Sequence, residues 1–233
     1  MAVSYVASAW GTSGTATVTI AVPTGTADND VMVAIVQRGG GVSEPDVPTG
    51  WTSIDYESTG PSTRKYWKVA SSEPASYDFT SSGINIAGVI STYRGVDTTS
   101  PINANVYWNR LTGGSNITAN TLTPSVDNCM IVFLGGVGGS TGTVTKPTGW
   151  NAREEQVGNQ VICVADLLQT TAAATGSVTA TTSLTANTQA AMVALTPAAV
   201  TSAIKTIDSL AKASIKTING LAIASVKTRD GLA

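Results

Sequence analysis

The chain predicts an all-β protein: two tandem antiparallel β-sandwich modules, jelly-roll or Ig-like, followed by a short repetitive tail. Three observations predict it. Asp28-Asn29-Asp30-Val31-Met32-Val33-Ala34-Ile35-Val36, leading to Pro48-Thr49-Gly50-Trp51, returns as Asp127-Asn128-Cys129-Met130-Ile131-Val132-Phe133-Leu134, leading to Pro147-Thr148-Gly149-Trp150. Both landmarks recur at an offset of 99 positions, the size of a small domain. Short segments rich in Val, Ile and Thr recur with turn residues between them and no amphipathic helix, as in sandwiches. Charged residues are 12% of the chain, about half the usual ~25%. Thr, Ser, Asn and Gly take the polar positions instead, which favours sheet.

In order, Thr15–Val22 alternates polar and apolar, the pattern of a half-buried strand. Pro23-Thr24-Gly25 and Asp28-Asn29 supply turns. Val31–Val36 is a continuous apolar run, expected as a central strand covered on both faces. Gly39-Gly40-Gly41 through Pro48 is a loop, and Arg64–Ala70, Ser76–Thr80 and Ile86–Tyr93 complete the first module, residues 1–99. The second module, residues 100–199, repeats the order with Asn116–Leu122, Cys129–Leu134, Val161–Leu168, Gly176–Thr181 and Ala190–Leu195.

Residues 200–233 form a third region, repeating from residue 204 with a period of 11 residues: Ile-Lys-Thr-Ile-Asp-Ser-Leu-Ala, Ile-Lys-Thr-Ile-Asn-Gly-Leu-Ala, Val-Lys-Thr-Arg-Asp-Gly-Leu-Ala. Eleven residues fit three helical turns, but Gly220 and Gly231 each cost a helix about 1 kcal/mol relative to Ala. The expected unit is instead punctuated. Ser214 caps one helical turn through Asn219, Gly220 ends it, and Leu221–Ala224 runs extended. Ile204, Ile207, Leu210, Ile215, Ile218, Leu221 and Ile223 are too many apolar side chains for so thin a segment to hide. They are the expected assembly interface of a homo-oligomer, a trimer being the favoured state.

Composition narrows function. The net charge of −2 gives no bulk attraction to nucleic acid or anionic membrane, although the tail holds five basic residues against two acidic ones. The chain has no histidine, so the commonest general base and metal ligand is missing. A non-enzyme with no cofactor and no metal is expected. No run approaches the roughly 18 apolar residues of a membrane span, and residues 1–20 show no secretory signal. Cys129 and Cys163 lie in apolar runs as small buried hydrophobes, a disulfide being the lesser alternative.

The remaining chemical candidates are weak. Ser62 lies near Lys65 and Lys68 without a surrounding motif. Glu154 and Glu155 are adjacent and point to opposite faces of a strand, while Asp55 and Glu57 share a face as a solvated edge. Asp28-Asn29-Asp30 is a turn rather than a calcium loop, since Asp127-Asn128-Cys129 drops the third oxygen. Gly135-Gly136-Val137-Gly138-Gly139 lacks the Lys and helix of a phosphate loop. Trp10/Trp108 and Trp51/Trp150 form internal pairs expected to cap the two cores. Trp67 has no counterpart, and alternation puts Tyr66 and Trp67 on opposite faces. Those two are the candidate contacts for a ligand or partner.

Together with the Asp-Asn-Asp-Val-Met-Val-Ala-Ile-Val and Pro-Thr-Gly-Trp segments, Tyr66-Trp67-Lys68-Val69-Ala70, Glu73-Pro74-Ala75-Ser76-Tyr77 and Tyr93-Arg94-Gly95-Val96-Asp97 carry a resemblance. The chain resembles a β-sandwich family of tailed-bacteriophage structural proteins and bacterial surface or prophage-encoded proteins. Its Ile-Lys-Thr-Ile-Asn-Gly-Leu-Ala units resemble the carboxy-terminal repeats of phage minor structural proteins. The second module departs from the pattern, having no Arg-Gly-Val-Asp. The resemblance implies a virion structural protein, a fibre, tail appendage or capsid decoration subunit. Such a protein is assembled in the host cytoplasm and exposed outside it, with other virion proteins as partners. The alternative is a carbohydrate-binding adhesin module that meets a cell-surface glycan.

Overall fold

Where β-branched and apolar residues recur, the chain is extended. The strands of the first half are β1 (Ser4–Ser13), β2 (Thr17–Ala21), β3 (Val31–Arg38), β4 (Thr52–Glu57), β5 (Ser62–Val69), β6 (Ser76–Thr80) and β7 (Ile86–Arg94). Those of the second are β8 (Ile102–Asn105), β9 (Asn109–Ala119), β10 (Cys129–Val137), β11 (Val144–Thr145), β12 (Asn151–Val157), β13 (Val161–Gln169) and β14 (Val178–Leu195). The tail contributes β15 (Thr217–Ile218) and β16 (Leu221–Ala222). This computed structural model describes residues 2–39, 44–139, 141–158, 160–199, 217–218 and 221–222. Among them the protein is all-β, with antiparallel sheets and no helix.

Two large sheets organise the body. The first has the order β1-β7-β3-β5-β4, and the second runs β11-β14-β10-β13-β12, with β8 and β9 also pairing β14. Val31 sits opposite both Val69 and Tyr93, and Met130 opposite both Leu168 and Leu195. Thr52 faces Trp67, and Asn151 faces Asp166. The register slips between Ser53 and Asp55 in one half and between Ala152 and Glu154 in the other. Two short pairings stand apart from these ladders: β2 with β6, and the end of β9 with the start of β14.

The apolar residues explain why the layers stack. Val31, Val33, Ile35, Ala87, Val89 and Tyr93 from the first sheet share one core with Met130, Val132, Leu134, Ile162, Val164, Ala191 and Val193 from the second. The opposite face of β3 (Met32, Ala34, Val36) packs with Tyr66 and Ile90 against Val18, Ile20 and Phe79 of β2 and β6. The opposite face of β10 (Ile131, Phe133, Val137) packs with Cys163 and Met192 against Ile117, Ala119, Val178 and Ala180. Residues 31–36 are therefore buried on both faces, each large side chain stabilising the fold by roughly 1.5–3 kcal/mol. Met1–Ala199 clusters as one compact unit and Val200–Ala233 as another. The expected module boundary at 99/100 falls in the β7–β8 connection inside the first unit.

The Pro-Thr-Gly-Trp segments form the same turn twice. Trp51 N–H donates to Pro48 O at 3.1 Å and Trp150 N–H to Pro147 O at 3.2 Å. Gly50 and Gly149 take φ of 84° and 83°, the left-handed position that a type II turn assigns to glycine. Both indoles are buried, as expected. Trp51 meets Tyr66, Tyr77 and Phe79 edge-on, and Trp150 meets Phe133.

Three expectations need correction, and one strand was not anticipated. Gly176–Thr181 and Ala190–Leu195 are not separate strands but parts of the 18-residue β14. Register shifts around Ala186 carry it from the β9 pairing into the β10 ladder without a break. Ser4–Ser13, not singled out in the sequence, forms the edge strand β1. Trp10 does not cap a core: it is 46% exposed on that edge, whereas Trp108 is buried in the connection between β8 and β9. In the tail, Thr217–Ile218 is extended and pairs with Leu221–Ala222, so the expected helical turn through Asn219 does not form there.

Candidate functional site

The residues singled out in the sequence do not converge. Tyr66 has no surface to offer a ligand, because it is fully buried with its hydroxyl donating to Asp46 O at 2.9 Å. Burial holds that hydroxyl protonated. Trp67 is half-buried and opposite Val33, so it takes the face turned toward the second sheet. Ile204, Ile207, Leu210, Ile215 and Ile223 lie outside the described residues. Ile218 and Leu221 are known as a backbone pair. Ser62 donates to Ser58 O, while Lys65 and Lys68 hold Asp55 and Glu73. Asp28-Asn29-Asp30 is a turn, with Asn29 at φ 69°, Asp28 accepting from Ser72 N–H and Asp30 paired with Arg94. Cys129 and Cys163 are free and buried, and burial pushes the Cys163 thiol up to about 12.

What the fold does bring together is a polar seam between the two large sheets. Lys65 lies opposite Ile35, so alternation turns it into the shared core. It is fully buried, and its Nζ lies 3.1 Å from Asp55 Oδ2, its register partner on β4. The ammonium also donates to Val106 O at 2.6 Å and sits 5.2 Å from the Trp108 ring centroid. Asn105 Nδ2 donates to the same Asp55 Oδ2 at 3.0 Å, leaving Asp55 Oδ1 buried with no hydrogen-bond partner among the described residues. Burial pushes Lys65 down to about 8, against the opposing pull of Asp55. The signal in the sequence is phase: Lys65 alternates with Trp67 and Val69, so a core-facing strand carries a lysine.

The second half carries a different version. Arg153 Nε and Nη2 bind Asp166 Oδ2 and Oδ1 at 2.7 and 2.8 Å, and the guanidinium stacks 4.0 Å from the Tyr5 ring centroid. Each half thus places one cation against an aromatic ring near the start of the other half.

Two clefts open at the ends of β3. One, of about 780 Å³, is lined by Gly39, Gly60, Pro61, Asn85, Gly138 and Asn187 among others, with no charged side chain on its wall among the described residues. Below it Gln37 Nε2 donates to Val137 O at 2.7 Å and to Gln160 Oε1 at 2.9 Å, and Gln189 Nε2 donates to Thr59 O at 3.0 Å. These amides pin the halves together. Gly136 makes room for one of them, since a Cβ there would come within 1.8 Å of Gln37 Oε1. The other cleft, of about 540 Å³, is lined by Asp28, Asp30, Arg94 and Asp97 beside Ala198. Among the described residues no cluster of His, Cys, Asp or Glu has a metal-binding arrangement. The chain matches no protein-family model, no curated protein and no solved structure.

Proposed function

We propose that this is a non-enzymatic virion structural protein, a fibre, tail appendage or capsid decoration subunit, built from a tandem duplication and assembled through its C-terminal repeats. The observation that carries the reading is the division of labour along the chain. Residues 1–199 bury their apolar faces against one another in stacked sheets. The repeats, rich in Ile and Leu, lie outside that unit. Supporting the duplication, the β3–β5 and β4–β5 registers recur in β10–β13 and β12–β13 at the sequence offset. A trimer joined by residues 204–233 is the proposed state.

The experiment has two arms. Mass spectrometry of purified particles should find the protein in fixed copy number, and light scattering should give an oligomer. A chain ending at residue 203 should keep a folded body, turn monomeric and fail to join particles. A truncated chain that still oligomerises and incorporates would remove the tail from the assembly. The second reading, a glycan-binding module, is favoured by the uncharged, amide-lined cleft, because sugar hydroxyls are met by neutral donors and acceptors. A glycan array with Asn187→Ala as control separates the two.

A further inference from the structure

The Lys65 cluster holds three groups that seldom meet: a buried amine, a carboxylate and a carboxamide on one oxygen. Nζ of Lys65 and Nδ2 of Asn105 both contact Asp55 Oδ2, at 3.1 and 3.0 Å. Lys65 is fully shielded from water and covered by the Trp108 ring. Asn105 is exposed, and its carboxamide and the Lys65 amine converge on one carboxylate oxygen. The second oxygen, Asp55 Oδ1, is buried and without a partner among the described residues, available to carry a proton.

We propose that Lys65 and Asn105 become joined by an intramolecular isopeptide bond, formed at Asp55 with release of one ammonia. The Lys65 ammonium gives a proton to the Asp55 carboxylate, leaving a neutral amine. That amine attacks Asn105 Cγ, forming the Nζ–Cγ bond. Asp55 returns its proton to Nδ2, the Cγ–Nδ2 bond breaks, and the excess proton left on Nζ passes through the Asp55 carboxylate to the departing ammonia. An amide and ammonia, carried off as ammonium, replace the lysine ammonium and the carboxamide, with no oxidant or other reactant required. A carboxamide is a poor acyl donor, so the step depends on proximity, for which oriented intramolecular pairs reach effective molarities of about 10⁵–10⁸ M. Burial supplies the second requirement. With Lys65 pushed down to about 8, roughly a tenth of the amine is neutral at pH 7, whereas an ordinary lysine is almost wholly charged. The product ties β5 of the first half to the end of β8 in the second, fastening the two large sheets covalently. The proposal rests on this cluster alone and is independent of the virion reading.

The test is the intact mass of the purified full-length chain, followed by peptide mapping under denaturing conditions. The expected result is a chain lighter than its sequence by one ammonia, with a branched peptide joining the segments that contain Lys65 and Asn105. An unchanged mass overturns the proposal. So does the loss of one water with Lys65 joined to Asp55. Asn219-Gly220 also loses ammonia when it cyclises to a succinimide, so Asn105→Ala is the control: it should keep its full mass, and an ammonia loss that persists there overturns the assignment. Asp55→Asn, close in shape, should fold by circular dichroism yet stay uncrosslinked. A crosslink in that variant would remove Asp55 from the chemistry.

Discussion

The two halves of the body place the same kind of contact in the same seam and build it from different atoms. In the first, the cation is Lys65 on the inner strand β5, and its carboxylate, Asp55, is on the edge strand β4. In the second, the cation, Arg153, is on the edge strand β12 and its carboxylate, Asp166, on the inner strand β13. Arg153 closes a bidentate fork on Asp166, so both carboxylate oxygens are used. Lys65 engages one oxygen of Asp55 and leaves the other without a partner. A guanidinium keeps its proton at any biological pH and is no nucleophile, while a desolvated lysine gives its proton up. The difference teaches that one backbone frame hosts an inert lock on one side and a reactive cluster on the other. The second half is thus an internal control for the first.

The largest effect separating the halves is expected at the paired tryptophans. Both Trp51→Ala and Trp150→Ala empty a core position, at about 3–5 kcal/mol. Trp51 has three aromatic neighbours to Trp150's one, so it should lie at the upper end. Urea midpoints compare the two, and a costlier Trp150→Ala would break the asymmetry.

Next come the cations. Arg153→Met removes the charge partner of the fully buried Asp166, leaving it the neutral amide of Asn151 at 3.2 Å, and should cost about 3–5 kcal/mol. Relative to the uncrosslinked chain, Lys65→Met leaves Asp55 with Asn105 still bonded to it and should cost less, about 1–3 kcal/mol. Equal losses in denaturant melts would mean that the fork and the single contact are energetically alike.

A pH series sharpens the comparison. In Asn105→Ala, where Lys65 stays free, its folded value of about 8 lies below the ordinary 10.5. Between those values the unfolded chain holds a proton that the folded chain has released, so stability rises with pH across that window. Replacing Lys65 by Met in that background should abolish the rise. The wild-type chain, with Lys65 acylated, should lack it too. Arg153 contributes no slope, because Asp166 outweighs the effect of burial and keeps its charge firmly in place. A slope unaffected by Lys65→Met would locate the titration elsewhere.

Smallest is the first pair of tryptophans. Trp10→Ala should stay within about 0.5 kcal/mol, as surface changes do, because the ring is 46% exposed. Trp108→Ala should cost several times more and unshield Lys65. Thermal melts of both variants decide it.

Much of this was legible in the chain. The apolar run Val31–Val36 announced a strand covered on both faces, and Pro-Thr-Gly-Trp announced a turn closing over a buried indole. Both are local properties: side-chain period and a glycine's left-handed φ depend on neighbours in sequence. Trp10 misled where Trp108 did not, because near-equal spacing does not settle which side of an edge strand a ring takes. The candidate contacts misled for a related reason. Alternation correctly separated Tyr66 from Trp67, but not which face would be covered by what.

By itself, then, the amino-acid sequence determined the all-β class, the central strands of each half and the recurrence of landmarks between the halves. Composition, period and turn chemistry act over a few residues and need no partner. Only the tertiary structure decided that the two large sheets share a core, that Gln37 reaches Val137 past a glycine, and that Lys65, Asp55 and Asn105 meet. Those residues lie up to 100 positions apart. Their encounter depends on which face of one sheet buries against another, a choice made by the summed apolar area of both sheets and by no single segment.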